Sequence, residues 1–279
     1  MALEPSSIQR DRMLSYGKTK LTQVQFLVSK DPAGIIEYLK GSNQAVLSEE
    51  GQREHQLKID QVLAGGDIPY RYLTVDSFPS SQALLLAHEA TRDIRGAALD
   101  NIFSIYMRTT SSVKKVVKGA GVFSPTLARW LGTQQIKNEP GQFEQLDPET
   151  DPEAEAVREF AARDLDQPFY MMNLNRFSPP SRNKGTGKAA YNRYSFRILP
   201  YLVSVGGYPD IYASILGTYI GDQKSSLHNR WHDFALVYYS SRKSFLRLMT
   251  NTPKGAAFTR RAGLEKVVLM PCITDFQDL

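Results

Sequence analysis

The sequence predicts an α+β protein in which the order β-α-β-β-α-β is written twice. Three observations carry this. Around Tyr72 the chain runs YLTVDSFPSSQALLLAHE and then IRGAALDNIFSIYMR. Around Phe234 it runs FALVYYSSRKSFLRLM and then PKGAAFTRRAGLEKVVLMP. Phe78-Pro79-Ser80-Ser81 falls over Tyr239-Ser240-Ser241-Arg242, and Gly96-Ala97-Ala98 over Gly255-Ala256-Ala257. The offset of about 160 residues is too long for a solenoid repeat and suits a duplicated domain.

The elements follow in order. The apolar run Val24 to Val28 predicts a strand. Asp31-Pro32 opens a helix with an acidic cap and an early proline, and Ile35, Ile36, Tyr38 and Leu39 form its apolar face. Gln56 to Leu63 predicts a second strand ending at Gly65-Gly66, and Tyr70 to Phe78 a third. Ser80 or Ser81 caps a second helix, with Leu84, Leu85, Ala87 and Ala90 facing the core. Ile102 to Met107 completes the first set. In the second set, Phe169 to Phe177 predicts strand one. The loop SPPSRNKGTGKA follows, rich in Pro and Gly and mobile by composition. Tyr191, Tyr194, Ile198 and Leu202 recur at helical spacing, and Gly206-Gly207 stops that helix. Ile211 to Ile220, Trp231 to Tyr239 and Lys266 to Cys272 are the remaining strands, with Ser240 or Ser241 capping the helix between the last two.

This order is the ferredoxin-like arrangement. Its domains are expected at 21–110 and 168–279. Residues 1–20 are expected as a polar, frayed leader and 111–167 as a connector with helices. One of these, capped by Asp151-Pro152, is expected to wrap a module and help close a cavity. A ferredoxin-like sheet carries helices on one face and must bury the other. Two such sheets on one chain are expected to pack face to face as an intramolecular barrel, giving a monomeric pseudo-dimer or, failing that, a homodimer.

Composition bounds the function. The chain has 279 residues, 42% of them hydrophobic and 23% charged, an ordinary balance for a globular protein. No apolar run approaches the roughly 18 residues that span a bilayer, and the N-terminus lacks a signal-peptide core, so no membrane partner and a cytoplasmic location are expected. The net charge is +5 and the pI about 9.1. The basic residues are scattered, however, and no nucleic-acid motif is present, so the expected partner is a small molecule rather than nucleic acid. A single cysteine, Cys272, excludes an internal disulfide framework and reads as a small buried hydrophobe.

In the second half, Phe169-Tyr170-Met171-Met172-Asn173-Leu174-Asn175-Arg176-Phe177 resembles the "MLNLLKF" opening of a family of unknown function in the dimeric α+β barrel superfamily. Tyr191-Asn192-Arg193-Tyr194 resembles its Y-x-x-Y helix, followed by Gly206-Gly207, and Leu216 to Gly221 resembles its second strand. Trp231-His232-Asp233-Phe234-Ala235-Leu236-Val237 resembles "WDEVALV", and Ser241-Arg242 its "PSR". His232 stands where an acidic residue is common, and Ser240 replaces the usual proline. The resemblance covers residues 150–273 and brings no assigned activity. The wider superfamily holds cofactor-free monooxygenases, decarboxylases, isomerases and haem enzymes, among which fold does not choose.

The expected chemistry is acid/base work on an apolar or aromatic metabolite without a bound cofactor, of oxygenase, decarboxylase, isomerase or cyclase type. A non-catalytic binding or interaction module is the alternative. His232 shares a strand face with Phe234, Leu236 and Tyr238, so His232 and Tyr238 are expected as a proton-transfer pair, or else as a strand-end histidine and a core tyrosine. Asn173 and Asn175 lie on one face of an apolar strand and must find partners; they could orient a substrate carbonyl. Arg176 and Arg197 could hold an anion. Tyr191 and Tyr194 sit one turn apart, as core aromatics or with the Tyr194 hydroxyl in a cavity. Trp231 and Asp233 are expected among the substrate-binding residues. His88, on a helix, is weighed as a haem ligand without any supporting motif. His228 and His232 lack the helical geometry for a metal, so no metal is expected. Gly185-Thr186-Gly187-Lys188 lacks P-loop spacing, and no nucleophile elbow is present.

Overall fold

Alternating apolar strands and Ser- or Asp-capped helices fold here into a ring of strands wrapped by helices. The computed structural model describes residues 3–109, 124–136, 146–180, 186–221, 225–228 and 230–274. Helix α1 (Ser7–Leu14) precedes β1 (Leu21–Val28), α2 (Pro32–Ser48), β2 (Gln52–Ile59), β3 (Tyr72–Phe78), α3 (Ser81–Ala90), α4 (Arg92–Ala98) and β4 (Asn101–Thr109). Then come α5 (Ser124–Leu131), α6 (Ala154–Ala162), β5 (Phe169–Phe177), α7 (Gly187–Ser204) and β6 (Tyr208–Ile220). The chain continues with β7 (Asp233–Tyr239), α8 (Arg242–Asn251), α9 (Lys254–Gly263) and β8 (Leu264–Ile273). None of the described helices is long and apolar enough to cross a membrane.

All eight strands pair antiparallel in one closed barrel, in the order β1-β3-β2-β8-β5-β7-β6-β4. The seam between β2 and β8 is thin, with Lys58 opposite Ile273 and Ile59 opposite Cys272. The other seam, β4 to β6, is longer and carries two register shifts. Alternation sends one face of each strand inward. Val24, Phe26, Val75, Phe103, Met172, Phe234, Leu236 and Cys272 fill the barrel as one packed core. The outward faces carry the helices. The first half packs Tyr38, Leu84 and Ile102 beneath α2 and α3. The second packs Phe160, Phe169, Tyr239 and Phe245 beneath α6, α7 and α8.

Local chemistry accounts for the helix starts. Asp31 accepts from the Ala33 and Gly34 amides, Ser80 from Ala83, and Ser241 from Ser244. Several expectations need correction. The described part of the leader, from residue 3 on, is not frayed, because Ser6 and Gln9 form a capping box and Met13 is fully buried in the first-half core. Strand β2 begins at Gln52 and ends at Ile59, earlier than its apolar pattern suggests, with a register shift between Arg53 and His55. Ala90 is exposed. Glu153, not Asp151, precedes α6. Strand β7 starts at Asp233, which leaves Trp231 and His232 ahead of it. The Pro/Gly-rich loop at 178–189 falls partly outside the described residues.

Candidate functional site

A large opening lies outside the barrel, between its second-half face and the helices over it. Strand register builds the floor. Met171 sits opposite Val237, Asn173 opposite Ala235 and Phe169 opposite Tyr239, so these side chains share the outward face. Small Ala235 leaves room above it. Helix α7 supplies Tyr191, Tyr194 and Ile198 to the roof, α8 supplies Phe245 and Met249, and α9 supplies Arg260. Asp151 and Pro152, just ahead of α6, close one side. The cavity is about 490 Å³ and its lining is predominantly apolar, within the size range of small-molecule sites.

A few polar groups converge on this apolar space. The Asn173 amide nitrogen donates to the Met171 carbonyl at 2.9 Å and lies 3.5 Å from that of Ala235. Two carbonyl partners fix the amide's orientation and leave its oxygen as the end available to the cavity. Asn175 is fully buried, with its amide 3.3 Å from the Tyr191 hydroxyl. Tyr191 and Tyr194 rings lie 5.6 Å apart. Among the described residues the hydroxyls of Tyr194 and Tyr239 make no hydrogen bond. Burial raises the pKa of Tyr191, Tyr194 and Tyr239, and the Arg260 guanidinium partly opposes that rise in all three. One cation therefore sits near three protonated phenols. Arg260 Nη1 donates to the Thr150 carbonyl and lies 3.3 Å from Asp151, whose other oxygen lies 3.3 Å from Arg261. Behind Tyr191, buried Asp233 accepts from Tyr212 and from Ser214 and lies 3.7 Å from Lys188.

The expected residues divide. Asn173, Tyr191 and Tyr194 line the cavity, and Asn175 and Asp233 support it from behind. The others lie elsewhere. The expected His232–Tyr238 pair does not form. The six residue steps from one to the other span about 20 Å, and Tyr238 turns toward Tyr170 and Tyr208 at the opposite end. The His232 ring stacks on Phe177 and its Nδ1 accepts from the Phe177 amide at 2.9 Å, which ties off the end of β5. Burial, then the Arg230 charge, lowers its pKa. Trp231 is buried in the barrel core and donates to the Leu227 carbonyl. Arg176 pairs with Glu265 on the surface. Arg197 points from α7 to Thr259 and not to Tyr194.

Tyr239 and Arg260 line the cavity although strand and helix patterns did not single them out, and Asp151 was read only as a helix cap. Tyr239 had a signal, since it continues the Ala235, Val237 alternation on the face that Asn173 occupies. Arg260 and Asp151 meet only through the tertiary fold.

No family model matches the chain, and no curated protein matches it. Among solved structures it is similar to a protein of unknown function from Rhodopseudomonas palustris. Identity is 24% over 46% of this chain and 97% of that one, with a TM-score of 0.40. A protein from Fusobacterium nucleatum, named only provisionally as a monooxygenase, aligns over 92% of both chains at 12% identity and a TM-score of 0.46. Chlorite dismutase from Candidatus Nitrospira defluvii aligns over 96% of both chains at 8% identity and a TM-score of 0.46. Likenesses of this size assign no activity.

The superfamily resemblance raises haem, and the donor set does not fit a histidine-held one. No histidine or cysteine lines the cavity. His88 lies in the other half, bonded to Glu4 and 3.1 Å from Arg95. His55 is paired with Asp210 at 2.7 Å, inside one end of the barrel. Among the described residues, no group of three or more His, Cys, Asp or Glu could hold a metal ion.

Proposed function

We propose that the second half is a small-molecule enzyme whose site is the cavity between β5–β7 and helices α7–α9. The observation that carries this is the Tyr194 hydroxyl, unbonded among the described residues in an apolar cavity of about 490 Å³ beside Tyr239 and Arg260. The substrate is an apolar or aromatic molecule with an oxygen at one end. Phenols whose pKa is raised stay protonated at neutral pH, so they donate hydrogen bonds rather than abstract protons. With Arg260 they would stabilise a negative oxygen, an enolate or phenolate, as it develops in a water-poor site. Oxygenation, decarboxylation, isomerisation and cyclisation each have routes through such a charge, so the site does not choose among them. Asn173, through its carbonyl oxygen, would orient a donor group on the substrate.

The test is mass spectrometry of small molecules retained after native purification, followed by turnover of the compound found. Tyr194→Phe should lower kcat by about 100-fold, the scale of losing one oxyanion donor. Unchanged turnover would remove Tyr194 from the mechanism. One observation favours a second reading, a non-catalytic binder: no lining histidine offers a base that titrates near neutrality. A compound that binds and is released unaltered would favour it.

We further propose a duplicated chain in which the second half holds the site. Strands one to four lie in the order β4-β1-β3-β2, and strands five to eight in the matching order β8-β5-β7-β6. Ser80 and Ser241 cap corresponding helices. We take 3–109 and 146–274 as the two ferredoxin-like units, each opened by its own short helix. The closed ring leaves no unpaired strand edge, which favours a monomer. Scattering that required a dimer would count against this.

A further inference from the structure

The two halves treat one arginine in two ways. The Leu99 amide bonds the Arg95 carbonyl at the end of α4, and the Leu264 amide bonds the Arg260 carbonyl at the end of α9. Arg95 reaches the Leu3 carbonyl and the Glu4 carboxylate. Arg260 reaches the Thr150 carbonyl and the Asp151 carboxylate. Each arginine therefore meets a carbonyl and the very next residue's carboxylate, in the segment just before that half's first helix. This match places Arg95 and Arg260 at equivalent positions and corrects the overlay of Gly96-Ala97-Ala98 on Gly255-Ala256-Ala257, because Gly96 falls at the end of α4 and Gly255 at the start of α9.

Their remaining contacts differ. Arg95 is fully buried and every one of its nitrogens is engaged. Nε meets Leu3, Nη1 meets the His88 carbonyl and Thr91, and Nη2 meets Glu4 and the His88 ring. Beside it Tyr38 donates to Gln25 at 3.0 Å within the packed first-half core. Arg260 uses only Nη1, and among the described residues its Nε and Nη2 make no hydrogen bond. It lines the cavity together with Arg261, and both share the single carboxylate of Asp151. Met249, on the cavity wall, holds the place on α8 that His88 holds on α3, eight residues after the capping serine.

We infer that the ligand of this cavity is an apolar carboxylic acid whose carboxylate seats on the unused edge of Arg260. This rests on the cavity being the binding site. An ionised acceptor bonds a guanidinium more strongly than a neutral one, by about tenfold or more in affinity. Asp151 then acts as an internal competitor, holding the arginine pair in place while the site is empty of anion.

Calorimetry with 2-naphthoate and its neutral amide, 2-naphthamide, tests this. The full-length protein should bind the acid about tenfold more tightly than the amide. Arg260→Gln should abolish that preference. Asp151→Asn should strengthen acid binding and so widen the preference for acid over amide, which a purely structural role for Asp151 would not do. Should Arg260→Gln fail to fold, Arg260→Lys keeps the charge without the fork and should reduce the preference only in part. Equal binding of acid and amide, both abolished by Ala235→Trp, overturns the inference and leaves the cavity as the site. A preference that survives Arg260→Gln also overturns it. Binding of neither probe overturns both.

Discussion

His88 should make the first half sensitive to mild acid. It sits on α3 with its Nε2 3.0 Å from Glu4 and 3.1 Å from Arg95, and its ring packs edge-on against Tyr219. Burial, then the adjacent Arg95 charge, lowers its pKa from 6.5 to about 4, against the pull of Glu4. The folded value lies below the unfolded one. Between them the unfolded chain binds a proton that the folded chain refuses, so stability is fullest above pH 6.5 and falls as the pH drops toward 4. The difference, at about 1.4 kcal/mol per pH unit, costs about 2.5 kcal/mol between pH 7.5 and 4.5. Glu4 does not cancel this. Burial pushes its pKa up, but bonds from Arg95 and His88 bring it below the ordinary value, so it too destabilises with acid, mainly at lower pH. Urea unfolding of wild type and His88→Gln at the two pH values isolates the histidine. The variant should lose about 2.5 kcal/mol less on acidification. Equal losses in both proteins, or a His88 titration midpoint near 6.5, would refute the account.

Two further perturbations test the packing that holds the site. A Cβ on Gly263 would lie 2.6 Å from the Tyr191 amide nitrogen and 2.9 Å from the Gly187 carbonyl, both backbone atoms. Gly263→Ala should therefore force α7 off α9, costing about 1–3 kcal/mol and weakening ligand binding as Tyr191 moves; an unchanged melting temperature would contradict it. Met13→Ala should cost about 2–5 kcal/mol, because Met13 is fully buried, whereas a frayed leader would lose nothing measurable.

Much of the fold was legible because local chemistry and tertiary structure agree. Phe169–Phe177 was bounded correctly from its apolar run, and the paired serines marked both helix starts. The site was legible only in part, for three physical reasons. Strand β7 is apolar on both faces, since Phe234 and Leu236 fill the barrel while Ala235 and Tyr239 meet the helices. Alternation then defines two faces without saying which one holds a cavity. Tyr238 belongs to the wrong one, and His232 lies ahead of the strand against Phe177. Arg260 stands in an ordinary basic helix end, and only the buried counterpart Arg95 marks it as special. The segment around Glu4 is polar in composition, yet its short helix carries Met13 into the core.

The contrast between the halves comes down to small changes in length and polarity. Pairing places Gln25 opposite Thr74 on β3 and Asn173 opposite Ala235 on β7, at matching distances from the capping serines. Tyr38 and Tyr194 stand at matching distances from the ends of α2 and α7. Gln25 reaches its tyrosine and closes the first half. Asn173 is one methylene shorter and turns to the backbone instead. Asn173→Gln should then let the amide accept from Tyr194 and draw the second half toward the closed arrangement. A neutral hydrogen bond contributes about 1 kcal/mol, so the melting temperature should rise by about 2–4 °C. Ligand affinity should fall at least tenfold, because the new bond consumes the hydroxyl and the added methylene fills space. If Asn173→Gln bound ligand as wild type does, the open cavity would owe nothing to this residue. The difference would then lie with Met249 and the unused edge of Arg260.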